Sequence, residues 1–198
     1  FYWKMYQELA LVATDKNCMA AVEILKHDME DHQILPRMVE EKQVEGLIVM
    51  GEISREYIRF MKEQTRIPII FLDFYDKELA EDAVISDNFY GMYLLTELLF
   101  ERGYRKLAYV GSIHRTSSIM DRYCGFHKAM LEHGEDLPEE WLIEDRDRLG
   151  NIEFSVPEKL PEAFVCNCDL TAGRLILKLE KLGYKVPEDV AVIGFDNF

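Results

Sequence analysis

The stretch Phe89–Gly111, FYGMYLLTELLFERGYRKLAYVG, contains the pattern that decides the fold. Residues 89–102 predict a helix, and Gly103 follows at the position where a glycine commonly ends a helix. Residues 106–110 then form a short, mostly apolar run that stops at Gly111. Such continuous apolar strands are typical of a parallel sheet, because helices cover both of its faces. The stretch therefore predicts one helix–strand step of a parallel α/β fold.

The same alternation continues on both sides of this stretch. Further helices are predicted at residues 2–16, 54–64, 120–132 and 170–181. Further strands are predicted at residues 19–25, 44–50, 67–72, 83–86, 141–143, 163–166 and 190–193. The fold class is therefore α/β, with two doubly wound parallel-sheet lobes. A polar turn near residues 73–87 separates them, which assigns residues 1–86 to the N-terminal lobe and 87–198 to the C-terminal lobe.

Composition and charge limit the possible functions. The chain carries 37 Asp and Glu against 23 Lys and Arg, a formal net charge of −14. Nucleic-acid affinity without sequence preference comes from Lys and Arg that neutralise phosphates, so this surface disfavours it. No apolar run approaches the roughly 20 residues of a membrane-spanning helix. Four cysteines are too few for a disulfide-stapled scaffold, which favours a reduced, cytoplasmic setting.

The motifs of common enzymes are missing from the sequence. It has no G-x-G-x-x-G after a strand, no Walker-type loop and no G-x-S-x-G elbow. Its five histidines are scattered, whereas a metal site needs clustered ligands at defined spacing. Cys166 ends a buried apolar strand, which favours a small core residue over a metal ligand, and the sequence names no catalytic partner for Cys168. We therefore predict no catalytic residue, no metal and no cofactor.

Polar residues follow the predicted strands, where ligands collect in open parallel sheets. They are Asp73, the run Ser86-Asp87-Asn88, Ser112, the run Asn167-Cys168-Asp169, and Asp196. Taken alone, any one of these carboxylates is more often a turn former or a helix cap than a ligand contact. Their recurrence in both halves favours a ligand site over the local role of each residue.

A series of motifs runs in a fixed order along the chain: VEGLIV at 44–49, IPIIFLD at 67–73, SDN at 86–88, RGYRKLAYVG at 102–111, RYCGF at 122–126, FVC at 164–166 and GYKVPEDVAVIGFDN at 183–197. This series resembles the ligand-binding core of LacI/GalR-type bacterial transcription regulators. Its order and spacing hold over nearly the whole chain.

The resemblance implies two lobes of the periplasmic-binding-protein-like type I fold, hinged around a small-molecule cleft. It also implies a DNA-binding helix-turn-helix headpiece and a hinge helix before the core. The chain opens on Phe1 without a Met and closes on the apolar run 192–198. We interpret both ends as cuts, with a first strand and the closing segments of the core missing. The alternative is a domain that happens to end there.

The resemblance also implies which residues contact the effector. Asp73, preceded by Leu72, matches an acidic cleft residue of the first lobe, and Asp196 matches one of the second. Arg122 matches an effector-contacting arginine; the alternative is a surface ion pair with Asp121 or a neighbour, and the Arg-x-x-Gly-aromatic context favours the effector contact. The remaining predicted contacts are Thr116 and Ser118, at cleft hydroxyl positions, and Ser86, where relatives stack an aromatic ring that Phe71 or Phe195 could replace here.

One departure from the family pattern puts the effector in question. The family usually has Asn-Asp after the strand that ends at Cys166, with the asparagine on the effector. This chain has Cys168-Asp169 there, and Asn167 stands one place early. Either Asn167 makes that contact, or Cys168 occupies its place and polar recognition is lost.

The sequence therefore predicts the ligand-sensing core of a LacI-type regulator rather than an enzyme. A small polar effector, predicted to be a sugar, binds between the lobes and controls DNA binding by the headpiece. The resemblance also implies a homodimer that pairs through both lobes, with helices such as 2–16 and 54–64 in the first-lobe contacts. We further expect operator DNA as a partner of that headpiece, and no membrane partner. Two rival functions are a periplasmic sugar-binding receptor of the same fold and a flavodoxin-like or nucleotide-using enzyme.

Overall fold

The computed structural model describes residues 2–79 and 82–196. The chain divides into two compact units, Phe1–Ile85 and Ser86–Phe198. Each unit contains one parallel β-sheet. None of the helices in the described part of the chain is long and apolar enough to cross a membrane.

The first unit is built on a three-stranded parallel sheet in the order β1-β2-β3. Its elements are α1 (Tyr2–Asp15), α2 (His27–Asp31), α3 (Arg37–Glu40), β1 (Leu47–Met50), α4 (Arg55–Gln64), β2 (Ile69–Leu72) and β3 (Asp82–Val84). The Ser54 hydroxyl caps α4 by accepting a hydrogen bond from the backbone N–H of Tyr57 at 3.3 Å. Buried side chains of α4 pack with the sheet residues Val49, Ile69 and Phe71.

The predicted strand over residues 19–25 is wrong. These residues are described, and none of them belongs to a strand. Met19 and Ile24 expose 94% and 80% of their surface, whereas a buried strand would hide such side chains. The segment is apolar in composition, but β1 pairs with β2 and not with this segment. A strand needs a hydrogen-bonded neighbour, which composition alone does not supply.

The second unit contains a four-stranded parallel sheet in the order β5-β4-β6-β7. Its elements are α5 (Asn88–Glu101), β4 (Leu107–Val110), α6 (Ser117–Glu132), a 3₁₀ turn (Glu139–Trp141), β5 (Leu142–Ile143), β6 (Ala163–Cys166), α7 (Asp169–Lys181) and β7 (Ala191–Ile193). The two middle strands, β4 and β6, are buried at every position.

Two hydrophobic cores lie on opposite faces of this sheet. Leu107 and Tyr109 pack with residues of α5 and α6, while Ala108 and Val110 pack with residues of α7. Alternate side chains of one strand point to opposite faces, so a strand covered on both sides is apolar throughout. This arrangement explains the continuous apolar runs that predicted a parallel α/β fold, and that fold class is confirmed.

Helices α5 and α6 approach each other at Gly125. A Cβ atom at this position would stand 2.1 Å from the backbone oxygen of Phe89, far inside contact distance. Only glycine allows the two backbones to come so close. The approach places the first turn of α5 beside the middle of α6, where the candidate site begins.

The connection from β5 to β6 contains no helix. Residues 144–162 run as turns and irregular structure with one isolated antiparallel bridge between Arg146 and Ile152. Phe154 from this connection is buried in the core that faces α7. The indole N–H of Trp141 donates to the backbone oxygen of Lys159 at 2.9 Å, which ties the start of the connection to its end.

Candidate functional site

A buried arginine lies at the carboxyl end of the second sheet. Arg122 is only 5% exposed. Its Nε donates to Oδ1 of Asn88 at 2.7 Å, and its Nη1 donates to the backbone oxygen of Asn167 at 2.7 Å. A surface ion pair of Arg122 with Asp121 is therefore the wrong explanation for this residue. The planar guanidinium is held in a fixed orientation, as bidentate recognition of a ligand requires.

Two residues that follow β7 complete the surroundings of this guanidinium. An Oδ1 atom of Asp196 lies 3.7 Å from Nη1 of Arg122, and both side chains are nearly buried. The ring of Phe195 lies 4.0 Å from the guanidinium carbon, a cation–π contact. A donor group and a carboxylate acceptor are therefore side by side.

The sequence of α6 explains why Arg122 points inward. The Thr116 hydroxyl starts the helix as its N-cap by accepting a hydrogen bond from the backbone N–H of Ile119 at 3.2 Å. Buried positions then recur at helical spacing, namely Ser118, Ile119, Arg122, Gly125, Phe126, Ala129 and Met130. Arg122 falls within this stripe, which faces the interior of the unit.

Asn88 enters the site through the turn before α5. The carbonyl of Ser86 accepts hydrogen bonds from the backbone N–H of Asn88 at 2.8 Å and from its side-chain Nδ2 at 3.1 Å. These bonds orient the Asn88 amide so that its Oδ1 faces Arg122. Ser86 is itself exposed and takes part through its backbone.

Asn167 faces two ways. Its backbone oxygen accepts from Arg122, while its side-chain Nδ2 donates to the carbonyl of Val110 at 3.1 Å and to Oδ2 of Asp145 at 2.8 Å. The side chain is therefore directed into a buried network rather than toward a ligand. Cys168, the next residue, is the N-cap of α7, and its Sγ lies 3.3 Å from Oγ1 of Thr171.

Asp145 forms the centre of that network and is fully buried. Its Oδ1 accepts from the backbone N–H of Ser112 at 2.8 Å, and its Oδ2 accepts from the Thr171 hydroxyl at 2.6 Å. Burial alone raises the pKa of Asp145, but the hydrogen bonds from Thr171, Asn167 and Ser112, with the nearby charge of Arg146, outweigh it. The net result is a pKa below the ordinary value, so the group is a carboxylate at neutral pH.

In the first unit, Asp73 lies at the carboxyl edge of the sheet. Asp73 follows Leu72, the last residue of β2, and is 7% exposed. Its φ is +69°, a left-handed conformation that Asp tolerates better than most residues, and its N–H donates to Val84 at 2.8 Å. The Tyr2 hydroxyl donates to Oδ2 of Asp73 at 3.2 Å.

The structure brings together Arg122, Asn167 and Asp196, with Ser86 and Cys168 as immediate neighbours of site residues. Thr116 acts as a helix cap, and Ser118 is buried in the same turn of α6. Leu72 and Asp73 lie in the other unit, at the carboxyl edge of its own sheet.

Sequence reasoning included Asn88 only as part of the polar run 86–88 and gave no role to Asp145 or Tyr2. Asp145 stands just beyond a predicted strand, so the rule that found Asp73 and Asn88 could have found it too. Tyr2 falls within a predicted helix and carries no comparable signal. In the described ranges, 2–79 and 82–196, no group of three or more His, Cys, Asp or Glu residues is arranged to hold a metal ion.

Parallel sheets with polar residues at their carboxyl ends occur in many open α/β proteins, and comparison with known proteins identifies the class of this chain. The family described as periplasmic binding protein-like domain matches residues 96–198, just over half of the chain. A solved structure of the transcription regulator CcpA of Lactococcus lactis superposes with a TM-score of 0.84 at 22% identity, covering 100% of this chain and 74% of that one. A putative LacI regulator from Bacillus cereus subsp. cytotoxis has a TM-score of 0.75 at 22% identity, covering 94% of this chain and 68% of its own.

Curated relatives narrow the class to a family. The HTH-type transcriptional repressor PurR of Vibrio parahaemolyticus is 31% identical over 167 residues, covering 81% of this chain and 50% of the relative. The HTH-type transcriptional repressor PurR of Glaesserella parasuis is 31% identical over 177 residues, covering 87% of this chain and 52% of the relative. The chain belongs to the LacI/GalR family, as an effector-binding core of the periplasmic-binding-protein-like type. It spans about half the length of the curated relatives that it matches.

Proposed function

We propose that this chain senses a small polar effector for a cytoplasmic transcription regulator and that the effector is a carbohydrate. One observation carries the proposal: the buried guanidinium of Arg122 lies beside the carboxylate of Asp196. A guanidinium donates only and a carboxylate accepts only, whereas a sugar hydroxyl does both. Neighbouring hydroxyls of one sugar would satisfy the two groups together.

The proposed contacts divide between the units. In the second unit they are Ser86, Thr116, Ser118, Arg122, Asn167, Cys168 and Asp196, with Asn167 acting through its backbone carbonyl. In the first unit they are Leu72 and Asp73, whose carboxylate already accepts a hydrogen bond from the hydroxyl of Tyr2. A sugar hydroxyl is the same kind of hydrogen-bond donor as the Tyr2 hydroxyl. The proposed contacts of the two units bind the ligand without changing it, and we propose no catalytic role.

The regulatory part of the proposal rests on the relatives, which are named as helix-turn-helix transcriptional repressors. Ligand binding would favour one conformation of the core, and that conformation would alter operator binding by a helix-turn-helix headpiece of the whole protein. The active species is proposed to be a homodimer. Operator binding by the full-length protein, measured with and without the ligand found below, tests this part.

The ligand site is tested by thermal denaturation of the chain across a panel of monosaccharides, sugar phosphates, nucleobases and amino acids. A ligand at a hundredfold excess over its Kd stabilises by about 2.7 kcal/mol. For a chain of this size, that raises the Tm by roughly 5–10 °C. A sugar is expected to give the largest shift. If another class gives it, the carbohydrate assignment is wrong.

The matched variants are Arg122→Lys and Arg105→Lys. Both replace a planar guanidinium by an ammonium group, but Arg105 donates to the backbone oxygens of Phe100 and Tyr104, away from Asp196. We expect Arg122→Lys to abolish the Tm shift with the best ligand and Arg105→Lys to retain it. A full shift in Arg122→Lys would overturn the site.

A further inference from the structure

Asp145 is a buried carboxylate that the proposed ligand contacts do not include. It accepts from the backbone N–H of Ser112, the amide of Asn167 and the hydroxyl of Thr171, and only Asn167 belongs to the proposed site. It lies in a connection without a helix, so no regular element holds it in place. Instead, the Ser112 hydroxyl accepts hydrogen bonds from the backbone N–H groups of Asp145 and Arg146, both at 3.1 Å.

Asn167 joins this carboxylate to Arg122. Both amide protons of Asn167 are directed to partners inside the protein, Val110 and Asp145, so the amide has none left to donate to a ligand. What Asn167 presents to the site is its backbone oxygen, which lies 2.7 Å from Nη1 of Arg122. Asn167 therefore links Asp145 to the guanidinium, because its side chain bonds to the first and its backbone oxygen to the second.

We propose that Asp145 is a positioning residue, which acts through Asn167 to fix the orientation of the Arg122 guanidinium. The assignment of Arg122 to the ligand rests on the proposed function, but the coupling of Asp145 to Arg122 does not.

The charges on the two sides of Asn167 support this role. A carboxylate accepts from the side chain of Asn167, and a guanidinium donates to its backbone. Hydrogen bonds in such a chain polarise one another, and those to ionised groups are the stronger ones. Without Asp145, the Asn167 amide would lose its ionised acceptor, and residue 167 could shift away from Arg122. The bond from Nη1 to Asn167 would then be lost, while the bond from Nε to Asn88 and the contacts of the guanidinium with Asp196 and Phe195 would remain.

The test is ¹⁵N–¹H NMR of the full chain without any ligand. The probe is the Nε–H signal of Arg122, identified by its absence from Arg122→Lys, and the measured quantity is its exchange rate with solvent. The indole N–H of Trp141, bonded to Lys159 in the same unit, serves as an internal reference for unfolding. A general loss of stability accelerates both signals, whereas loss of positioning accelerates only that of Arg122.

Asp145→Asn replaces an acceptor by a group that cannot accept all of these donors, and Asp147→Asn is its matched control. Asp147 also accepts several hydrogen bonds, but from the exposed residues Leu149 and Asn151. We expect Asp145→Asn to raise the Arg122 exchange rate, relative to that of Trp141, by about tenfold or more, the scale of one lost buried hydrogen bond. Asp147→Asn is expected to leave the ratio unchanged. A ratio within twofold of wild type in Asp145→Asn would overturn the proposal.

If Asp145→Asn does not fold, a pair of less disruptive variants tests whether Asp145 positions Arg122. Thr171→Val removes one donor from Asp145 and keeps every atom of Asn167, while Thr14→Val makes the same change on α1, where the hydroxyl donates to Ala10. The ratio should rise in Thr171→Val and not in Thr14→Val; equal ratios would overturn the proposal. Coupling without any response to the ligand panel would instead refute the proposed function and leave the positioning role intact.

Discussion

The guanidinium of Arg122 lies over the ring of Phe195, 4.0 Å from its centroid, and the same ring contacts α5 at Gly91. A Cβ on Gly91 would stand 2.8 Å from Cε2 of Phe195. The position of Phe195 therefore depends on the absence of a side chain at Gly91. Its ring packs against the guanidinium of Arg122, so α5, α6 and the segment after β7 must all keep their places for this contact to form.

Alanine at Gly91 is expected to destabilise the protein, because Phe195 cannot move away from a new methyl group without losing its contact with Arg122. The cost of such overpacking is about 1–3 kcal/mol. Gly173 is the control, since it also lies inside a helix and a Cβ there would meet nothing within 4 Å. Gly173→Ala should stabilise by up to about 1 kcal/mol through helix propensity. Urea denaturation measures the change in the free energy of unfolding for both variants, and changes of the same sign would contradict this prediction.

Alanine at Gly125 should cost more than alanine at Gly91. Its methyl group would lie 2.1 Å from the backbone oxygen of Phe89, and a backbone atom cannot move aside as a side chain does. Helices α5 and α6 would have to separate, which disturbs the core that contains Met92, Phe126 and Met130. We expect a loss of about 3 kcal/mol or more in the free energy of unfolding. A loss smaller than that of Gly91→Ala would show that the helices adjust freely.

The central strands of the second unit could be predicted because they are buried on both faces, which requires consecutive apolar residues. Leu107–Val110 and Ala163–Cys166 are apolar at every position, and their observed bounds fall within one residue of the predicted ones. The segment 19–25 has a similar composition but no paired neighbour, which local sequence does not encode.

The site was predictable only in part for the same reason. Arg122 lies in a recognisable motif, but the partner of its Nε is 34 residues away, and Asp145 reaches Asn167 across 22 residues. The direction of the Asn167 amide depends on that distant carboxylate. Contacts of this kind follow from the fold, so a local pattern cannot indicate them.

Protonation of Asp145 is expected to destabilise the protein at acid pH. The pKa of Asp145 is lower in the folded chain than its unfolded value of about 3.9, despite the opposing effect of burial. Folding therefore gains stability from this carboxylate above about pH 4, and loses it as the pH falls through the folded pKa.

The variant Asp145→Asn isolates this contribution. The difference in the free energy of unfolding between wild type and Asp145→Asn should be largest near neutral pH and should narrow below about pH 4. Urea denaturation at a series of pH values measures it. Asp15→Asn, an exposed change at the end of α1, is the control and should give only a small difference. A constant difference between wild type and Asp145→Asn would mean that the charge of Asp145 does not stabilise the fold.

Helix α1 is expected to form part of the proposed dimer interface. Its inner face, which includes Met5 and Leu9, is half-buried, and no residue of the helix is fully buried. On its remaining surface, Leu11 and Val12 expose 63% and 58% of their area. Burying the exposed part of these two side chains against a second copy would contribute about 2–4 kcal/mol. The double variant Leu11→Glu with Val12→Glu should therefore weaken dimerisation at least tenfold.

Sedimentation velocity over a range of protein concentrations measures this effect. The control is Leu177→Glu on α7, which introduces the same charge at a leucine that is 52% exposed in the other unit. Circular dichroism verifies that both variants keep their helical content. A dimer that is unaffected by the α1 changes would exclude α1 from the interface, and equal weakening by Leu177→Glu would show that the effect is not specific to α1. A chain that stays monomeric at every concentration would refute dimerisation through this core.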